Sequence, residues 1–392
     1  MQRVNGGVCT VKNIKASGCK NGKHGVGILL TKNCEAAGVF TKNKIKAAPV
    51  RLTKKVLRDG KLSAIVANSG NANCFTGKKG MEDAIKMQEI TAEKLNLDPN
   101  EVAVASTGII GLRMPMEKII PLINKASLKL NNSPKASRKF AKAIMTTDTF
   151  PKEFAVEFRL KNGEKCRIGG VAKGAGMISP NMATMLSFIT TDIDASADEL
   201  YESLKIAVDR SFNMVVVDGD QSTNDMVLIS STRESGEIDE KFQTALNFLC
   251  EELAKMIAKD GEGATKFIEV IVKNAKSSED AKKIAKSIVS SPLVKTAVFG
   301  SDPNVGRIIA AIGSTNCDVK EEKINIRLKS VTDVNIVKNG EIIKSKIPYA
   351  RKVMNEKEIK IIVDLKFGNS SAKAYGCDLT YDYVKINSEY ST

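Results

Sequence analysis

Apolar residues alternate or run together over 62–67, 102–105, 154–160, 186–190, 214–217 and 267–272, and the short period predicts a strand at each. Longer stretches with apolar residues three and four apart predict helices over 81–95, 116–128, 197–209, 240–258 and 280–290. Stop signals agree with two of the ends. Asp98-Pro99 follows the first helix, and Asp260-Gly261 follows the fourth. Asp198 falls in the first turn of the third, where a carboxylate favours the helix dipole. Near the C-terminus, residues 334–337, then Asn339-Gly340, then Ile342 and Ile343 read as a hairpin closed by a tight turn. Strands and helices mix without strict βαβ alternation, and neither a repeat nor a low-complexity linker divides the chain. The expected architecture is α+β, in layers.

Composition narrows the class. With 392 residues, of which 42% are hydrophobic, the chain can bury a sizeable core. It lacks a run of about 18 apolar residues, so a transmembrane helix is not expected. The start, Met1-Gln2-Arg3-Val4-Asn5-Gly6-Gly7, has no apolar stretch of the signal-peptide kind, and a soluble cytoplasmic protein is expected. Eight cysteines lie at 9, 19, 34, 74, 166, 250, 317 and 377 without Cys-x-x-Cys spacing. Free, mostly buried thiols are expected, and no metal site. The net charge of +15 raises the question of nucleic acid. The lysines are scattered, acidic residues are interleaved with them, and no recognition motif for nucleic acid is present. The charge suits solubility, or the steering of anionic substrates such as amino-acid carboxylates.

The chain has one histidine, His24. Any Ser-His-Asp or Cys-His enzyme has to use it. It stands in the glycine-rich Gly22-Lys23-His24-Gly25-Val26-Gly27, beside a short strand, and reads as a surface residue. Acid–base chemistry is therefore expected from another group. Residues 170–191 stand out instead. A lysine among glycines, Gly170-Val171-Ala172-Lys173-Gly174-Ala175-Gly176, leads through Ser179-Pro180-Asn181 to Ala183-Thr184 and then an apolar strand. Arg167-Ile168-Gly169-Gly170-Val171-Ala172 fits the pyrophosphate loop of common acetyl-CoA-dependent acetyltransferases. That loop has to open a helix; here more glycine and Pro180 follow, and the reading is rejected.

The segment from Gly174 through Ser179-Pro180-Asn181-Met182-Ala183-Thr184 to Leu186 closely resembles the self-processing site of the ornithine acetyltransferase (glutamate N-acetyltransferase) family. Further segments resemble the family in order: Asn68-Ser69-Gly70-Asn71-Ala72-Asn73, Ser106-Thr107-Gly108-Ile109-Ile110-Gly111, Thr146-Thr147-Asp148-Thr149, Asp260-Gly261-Glu262-Gly263-Ala264-Thr265-Lys266, Gly300-Ser301-Asp302-Pro303-Asn304 and the tail Ile386-Asn387-Ser388-Glu389-Tyr390-Ser391-Thr392. One departure is Val305, where the family usually has Trp. The resemblance implies an N-terminal-nucleophile-like sandwich, two stacked sheets between helical layers. It implies a precursor that cuts itself between Ala183 and Thr184. Residues 1–183 become an α chain and 184–392 a β chain, commonly assembled as α2β2.

The same resemblance implies the chemistry and its residues. Thr184, newly N-terminal, is the nucleophile, with its own α-amino group as base; a free α-amine has a pKa of about 7.7–8.0. Thr107 gives its hydroxyl and Gly108 its backbone N–H to the oxyanion. Thr147, Lys173, Glu262, Asn387 and Thr392 contact the substrate. Lys173 suits a carboxylate and Glu262 an amine. The C-terminal tail, normally a frayed segment, has to fold back to take part. The implied reaction is ping-pong transfer of an acetyl group from N-acetylornithine to glutamate in arginine biosynthesis, without metal or external cofactor. Some members also take acetyl-CoA as donor, and the residues do not separate the two kinds. Two other readings stay open: a self-cleaving aminopeptidase in which water takes the acyl group, and a basic binding protein that is never cut.

Overall fold

The structure is a computed structural model that describes residues 1–179 and 185–389. Two compact units emerge. Met1–Asn213 with Asp220–Leu253 forms the first, and Met214–Gly219 with residues 254–389 forms the second. Each unit is built on its own mixed sheet flanked by helices, which makes the chain α+β as expected.

Among the described residues the first unit holds a nine-stranded sheet. Its order runs Gln2–Arg3, Lys152–Arg159, Lys165–Lys173, Leu186–Thr191, Met226–Ser231, His24–Phe40, Lys61–Asn71, Val102–Ile109, with Lys15–Asn21 paired to His24–Phe40. Central strands such as Leu186–Thr191 and Met226–Ser231 are buried at every position. Two apolar clusters cover the sheet's faces. One gathers Leu29, Leu62, Phe140, Phe188 and Leu228, with Phe140 edge-on to Phe188 at 5.5 Å. The other packs Ile28, Val66 and Val104 against Met87, Ile90, Ile119 and Ile123 of the helices Gly77–Leu95 and Met116–Ser127. The helix Ala197–Arg210 opens on a capping box between Ser196 and Glu199.

The second unit's seven-stranded sheet runs Glu341–Ile342, Asp333–Lys338, Asn325–Lys329, Glu358–Asp364, Phe267–Ala275, Ser370–Cys377, Val215–Val216. Ile268, Val270, Ile284, Ile288, Ile361 and Val363 form its core with the helix Ser278–Ser290. The expected hairpin is present: Val337 pairs with Ile342 and Lys338 with Glu341, and both turn residues have positive φ, 51° at Asn339 and 80° at Gly340.

Every strand and helix expected from periodicity appears, although the strand expected at 214–217 shrinks to Val215–Val216. Others had no periodic signal. The 17-residue strand His24–Phe40 is hidden because it is buried on both faces and rich in glycine and alanine, so it does not alternate. The strand Lys165–Lys173 takes in the segment rejected as a pyrophosphate loop, and it opens no helix. The reading of His24 as a surface residue is wrong. It begins that long strand, is 8% exposed, and its Nδ1 lies 2.9 Å from where a side chain on Gly70 would project. Burial, with the charges of Lys118 and Lys23, holds its pKa below the usual value. All eight cysteines are free and seven are buried. Among the described residues no helix is long and apolar enough to cross a membrane.

Candidate active site

The strands Lys61–Asn71 and Val102–Ile109 run parallel and end side by side, with Gly70 opposite Gly108 and an irregularity at Asn71. Gly108 has φ of 132°, and a Cβ there would stand 2.4 Å from the Gly70 carbonyl carbon and 2.5 Å from Asn71 N. Glycine is thus required because the neighbouring strand end crowds it. Asn68 accepts from the Ser106 hydroxyl, and Asn224 Nδ2 donates to the carbonyls of Ala72 and Ser106 at 2.6 and 2.8 Å. These bonds hold the strand end that carries Thr107 and Gly108. Thr107 is 2% exposed, and Gly108 is half-buried.

Lys173 ends the strand Lys165–Lys173 with a 2% exposed side chain. Its ammonium donates to Thr107 Oγ1 at 3.2 Å and Thr146 Oγ1 at 2.9 Å. It also stands 3.8 Å from Asp148 Oδ2. Because Thr107 accepts from Lys173, its own hydroxyl proton is directed to another acceptor. Asp148 is the anchor of this group. One carboxylate oxygen takes Lys152 Nζ at 2.6 Å and Gly174 N–H at 2.7 Å, and the other takes Thr146 N–H at 3.0 Å. Both side chains of the Asp148–Lys152 pair are fully buried. Burial pushes the Asp148 carboxyl up, but the charges of Lys173 and Lys152 and these hydrogen bonds outweigh it and hold the group well below the usual range.

The strand Leu186–Thr191 emerges beside Lys173, with Leu186 paired to it. On its other side lies Met226–Ser231, in parallel. Just before that strand, Asp225 is wholly buried and accepts Met185 N–H on Oδ1 at 2.9 Å. In the second unit Asn387 Nδ2 donates to Glu262 Oε2 at 3.0 Å. The tail there is a helix, Tyr381–Glu389, and Gly263 lies so near that a Cβ would be 2.4 Å from Tyr383 N.

The structure thus brings together Thr107, Gly108 and Lys173 in the first unit, and Glu262 with Asn387 in the second. Thr147 is half-buried between Thr146 and Asp148. Ala183, Thr184 and Thr392 lie outside the described residues. Sequence reasoning passed over Thr146, Asp148, Lys152 and Asp225. Thr146 and Asp148 stood inside a quoted segment, and Lys152 lies four residues beyond Asp148. Asp225 carried only one sign, a polar run that turns abruptly apolar at Met226.

A family model described as the ArgJ family matches residues 11–392. The glutamate N-acetyltransferase of Methanothermobacter thermautotrophicus is 59% identical, over 99% of this chain and 98% of that protein. The glutamate N-acetyltransferase of Methanocaldococcus jannaschii is 52% identical, over 100% of both. A solved structure, the arginine biosynthesis bifunctional protein argJ from Bacillus halodurans, is 43% identical with a TM-score of 0.50, over 52% of this chain and 99% of that one. Similarity of this extent makes the chain an enzyme of the acyltransferase class. It belongs to the ArgJ family.

Proposed function

We propose that this enzyme moves the acetyl group of N-acetylornithine to glutamate, giving ornithine and N-acetylglutamate, as a step of arginine biosynthesis in the cytoplasm. The observation that carries the reading is the ammonium of Lys173 on the hydroxyl of Thr107, beside the glycine strand end at Gly108 and next to the strand that follows Thr184. A donor pair backed by a buried cation suits an oxyanion, and the chain's one histidine begins a buried strand in place of a site for acid–base work.

In this reading the precursor first cuts the Ala183-Thr184 bond. The Thr184 hydroxyl then attacks the acetyl carbonyl of N-acetylornithine, and its proton passes to the α-amino group of the same residue. The oxyanion takes the Thr107 hydroxyl and the Gly108 N–H. As the C–N bond breaks, the ammonium of Thr184 returns its proton to the departing ornithine nitrogen. Glutamate's amine attacks the acetyl-threonine ester by the reverse path. Lys173 and Thr147 receive the substrate's polar groups, and Glu262, Asn387 and Thr392 receive the ornithine side. After the cut, Lys165–Lys173 of the α chain and Leu186–Thr191 of the β chain remain neighbours in one ladder, a reason for the two pieces to stay together. The expected assembly is α2β2. Acetyl-CoA as a second donor is a further activity to assay.

The test combines denaturing electrophoresis with product analysis. The wild type is expected to run as two chains and to form N-acetylglutamate. Thr184→Ala is expected to stay whole and inactive, while Thr184→Ser keeps part of both activities. Free acetate as the main product would make it a hydrolase, and an active uncut chain would remove the mechanism.

A further inference from the structure

His24, the chain's one imidazole, packs against the glycine strand end that carries the candidate oxyanion donor. It stands at the closed end of a hairpin, where Lys15–Asn21 turns into His24–Phe40 and Asn21 pairs with His24. That end touches two segments of the site. Lys20 Nζ donates to the Met145 carbonyl at 2.9 Å, one residue before Thr146, a partner of Lys173. Gly25 pairs with Ser69, whose hydroxyl donates to the Ala143 carbonyl at 2.8 Å. The next residue, Gly70, has φ of 95°, and a Cβ on it would stand 2.7 Å from the Lys23 carbonyl oxygen and 2.9 Å from His24 Nδ1. Gly108 crowds Gly70 as well, since a Cβ on Gly108 would stand 2.4 Å from the Gly70 carbonyl carbon. Imidazole, Gly70 and Gly108 therefore follow one another in close contact.

The ring is 8% exposed, and among the described residues its Nδ1 has no hydrogen-bond partner. A buried ring nitrogen in that state costs stability, which packing alone does not explain, because an apolar ring would fill the same space without the cost. Its charged neighbours are Lys23 on its own turn and Lys118 and Glu117 on the helix Met116–Ser127. The paired strand adds Lys20, whose ammonium is taken by the Met145 carbonyl. Burial and the two lysine charges, Lys118 and Lys23, favour the neutral ring against the pull of Glu117. A protonated ring would be a donor on both nitrogens and would set an N–H and a charge against the Gly70 backbone.

We propose that His24 is a positioning residue of the oxyanion site: its neutral ring, packed on Gly70, holds the strand end so that the Gly108 N–H stays aimed at the place where the oxyanion forms. The inference rests on the reaction proposed above, in which that N–H receives the oxyanion. His24 touches neither the substrate nor the moving proton, and no bond to it forms or breaks. It acts through Gly70 alone. A backbone donor cannot change rotamer to recover its aim, so a small shift of the strand end is felt in the rate before it is felt in binding.

The test pairs kinetics with the one imidazole signal that the protein can give. His24→Ala empties the space over Gly70 and is expected to lower kcat by about 10-fold or more, with the KM for N-acetylornithine unchanged, in enzyme cut as fully as the wild type. His24→Asn keeps a polar atom near the Nδ1 position and is never charged; it is expected to restore most of kcat. In the wild type, proton magnetic resonance of the single imidazole gives the pKa of His24, expected below the roughly 6.5 of a free ring. Below that pH the fall of log kcat is expected to steepen from the slope of one proton to that of two, and in His24→Asn it is expected to keep the slope of one. A His24→Ala enzyme with the wild-type kcat, or a wild-type profile without a break at the His24 pKa, overturns the proposal. Where His24→Ala does not fold or cut, the wild-type profile decides alone. A wild type that forms no N-acetylglutamate overturns the proposed reaction and this role with it, whereas a wild type that forms it beside an equally fast His24→Ala overturns the role of His24 alone.

Discussion

Thr107 and Asp148 carry different burdens, and substitution separates them. The Thr107 hydroxyl is held by Lys173 at 3.2 Å and gives its proton elsewhere. In the proposed mechanism its value lies in the charge that develops on the substrate oxygen. Thr107→Ala is expected to lower kcat by about 10²–10³ with little change in KM, once mass analysis shows that the chain has been cut. An unchanged kcat in properly cut enzyme would take Thr107 out of the site. Asp148 is a matter of stability first. Asp148→Asn removes the buried carboxylate charge that faces Lys152 and Lys173, and the expected loss is about 3–5 kcal/mol in urea unfolding. The sign with pH follows from its depressed carboxyl: its contribution is full above the unfolded carboxylate pKa near 4 and is lost as pH falls through the lower folded value. The wild type should therefore lose stability on acidification more steeply than Asp148→Asn, which pH-dependent melting would show. Of this cluster, Thr107, Gly108 and Lys173 were legible because the segments around them resemble a family. Asp148 and Lys152 were not, because a buried ion pair looks in sequence like any two charges four residues apart.

Among elements, the legible helices were those with one wet face and the legible strands were short apolar runs. The helices over 81–95 and 197–209 show the period that burial of one side imposes, whereas the strand over 62–67 is buried at every position. His24–Phe40 lacks a period, since consecutive residues are buried over most of its length. The helices Ala48–Val56 and Pro134–Ala143 each bury one face but escaped because they are only nine and ten residues long, shorter than the stretch over which the period is read. The tail is the reverse case. A chain end is normally frayed, yet Tyr381–Glu389 is a helix whose Thr380 hydroxyl caps onto the Gly263 carbonyl at 2.7 Å and whose Asn387 reaches Glu262. Deleting residues 387–392 removes the Asn387 contact but spares the helix start. The shortened enzyme is expected to fold and cut itself, with a raised KM for N-acetylornithine and more acetate released. Steady-state kinetics with both products measured tests this; an unchanged KM and acetate yield would place Asn387 and Thr392 outside the reaction.

At the scale of the whole molecule, the proposed cut and the fold divide the chain at different places. The cut separates 1–183 from 184–392, but the first compact unit runs on through Asn213 and takes up Asp220–Leu253. The β chain would therefore begin inside a sheet, with Leu186–Thr191 between Lys165–Lys173 and Met226–Ser231. Leu186, the first residue of that central strand, pairs with Lys173, the lysine that donates to Thr107. The most direct measurement is mass analysis of the enzyme given N-acetylornithine without glutamate. The expected result is two chains, with one acetyl group on the peptide that begins at Thr184, about one ornithine released per site, and loss of the label as N-acetylglutamate when glutamate is added. A single uncut chain that still transfers acetyl groups, or a cut enzyme that transfers them without ever carrying one on Thr184, would contradict it.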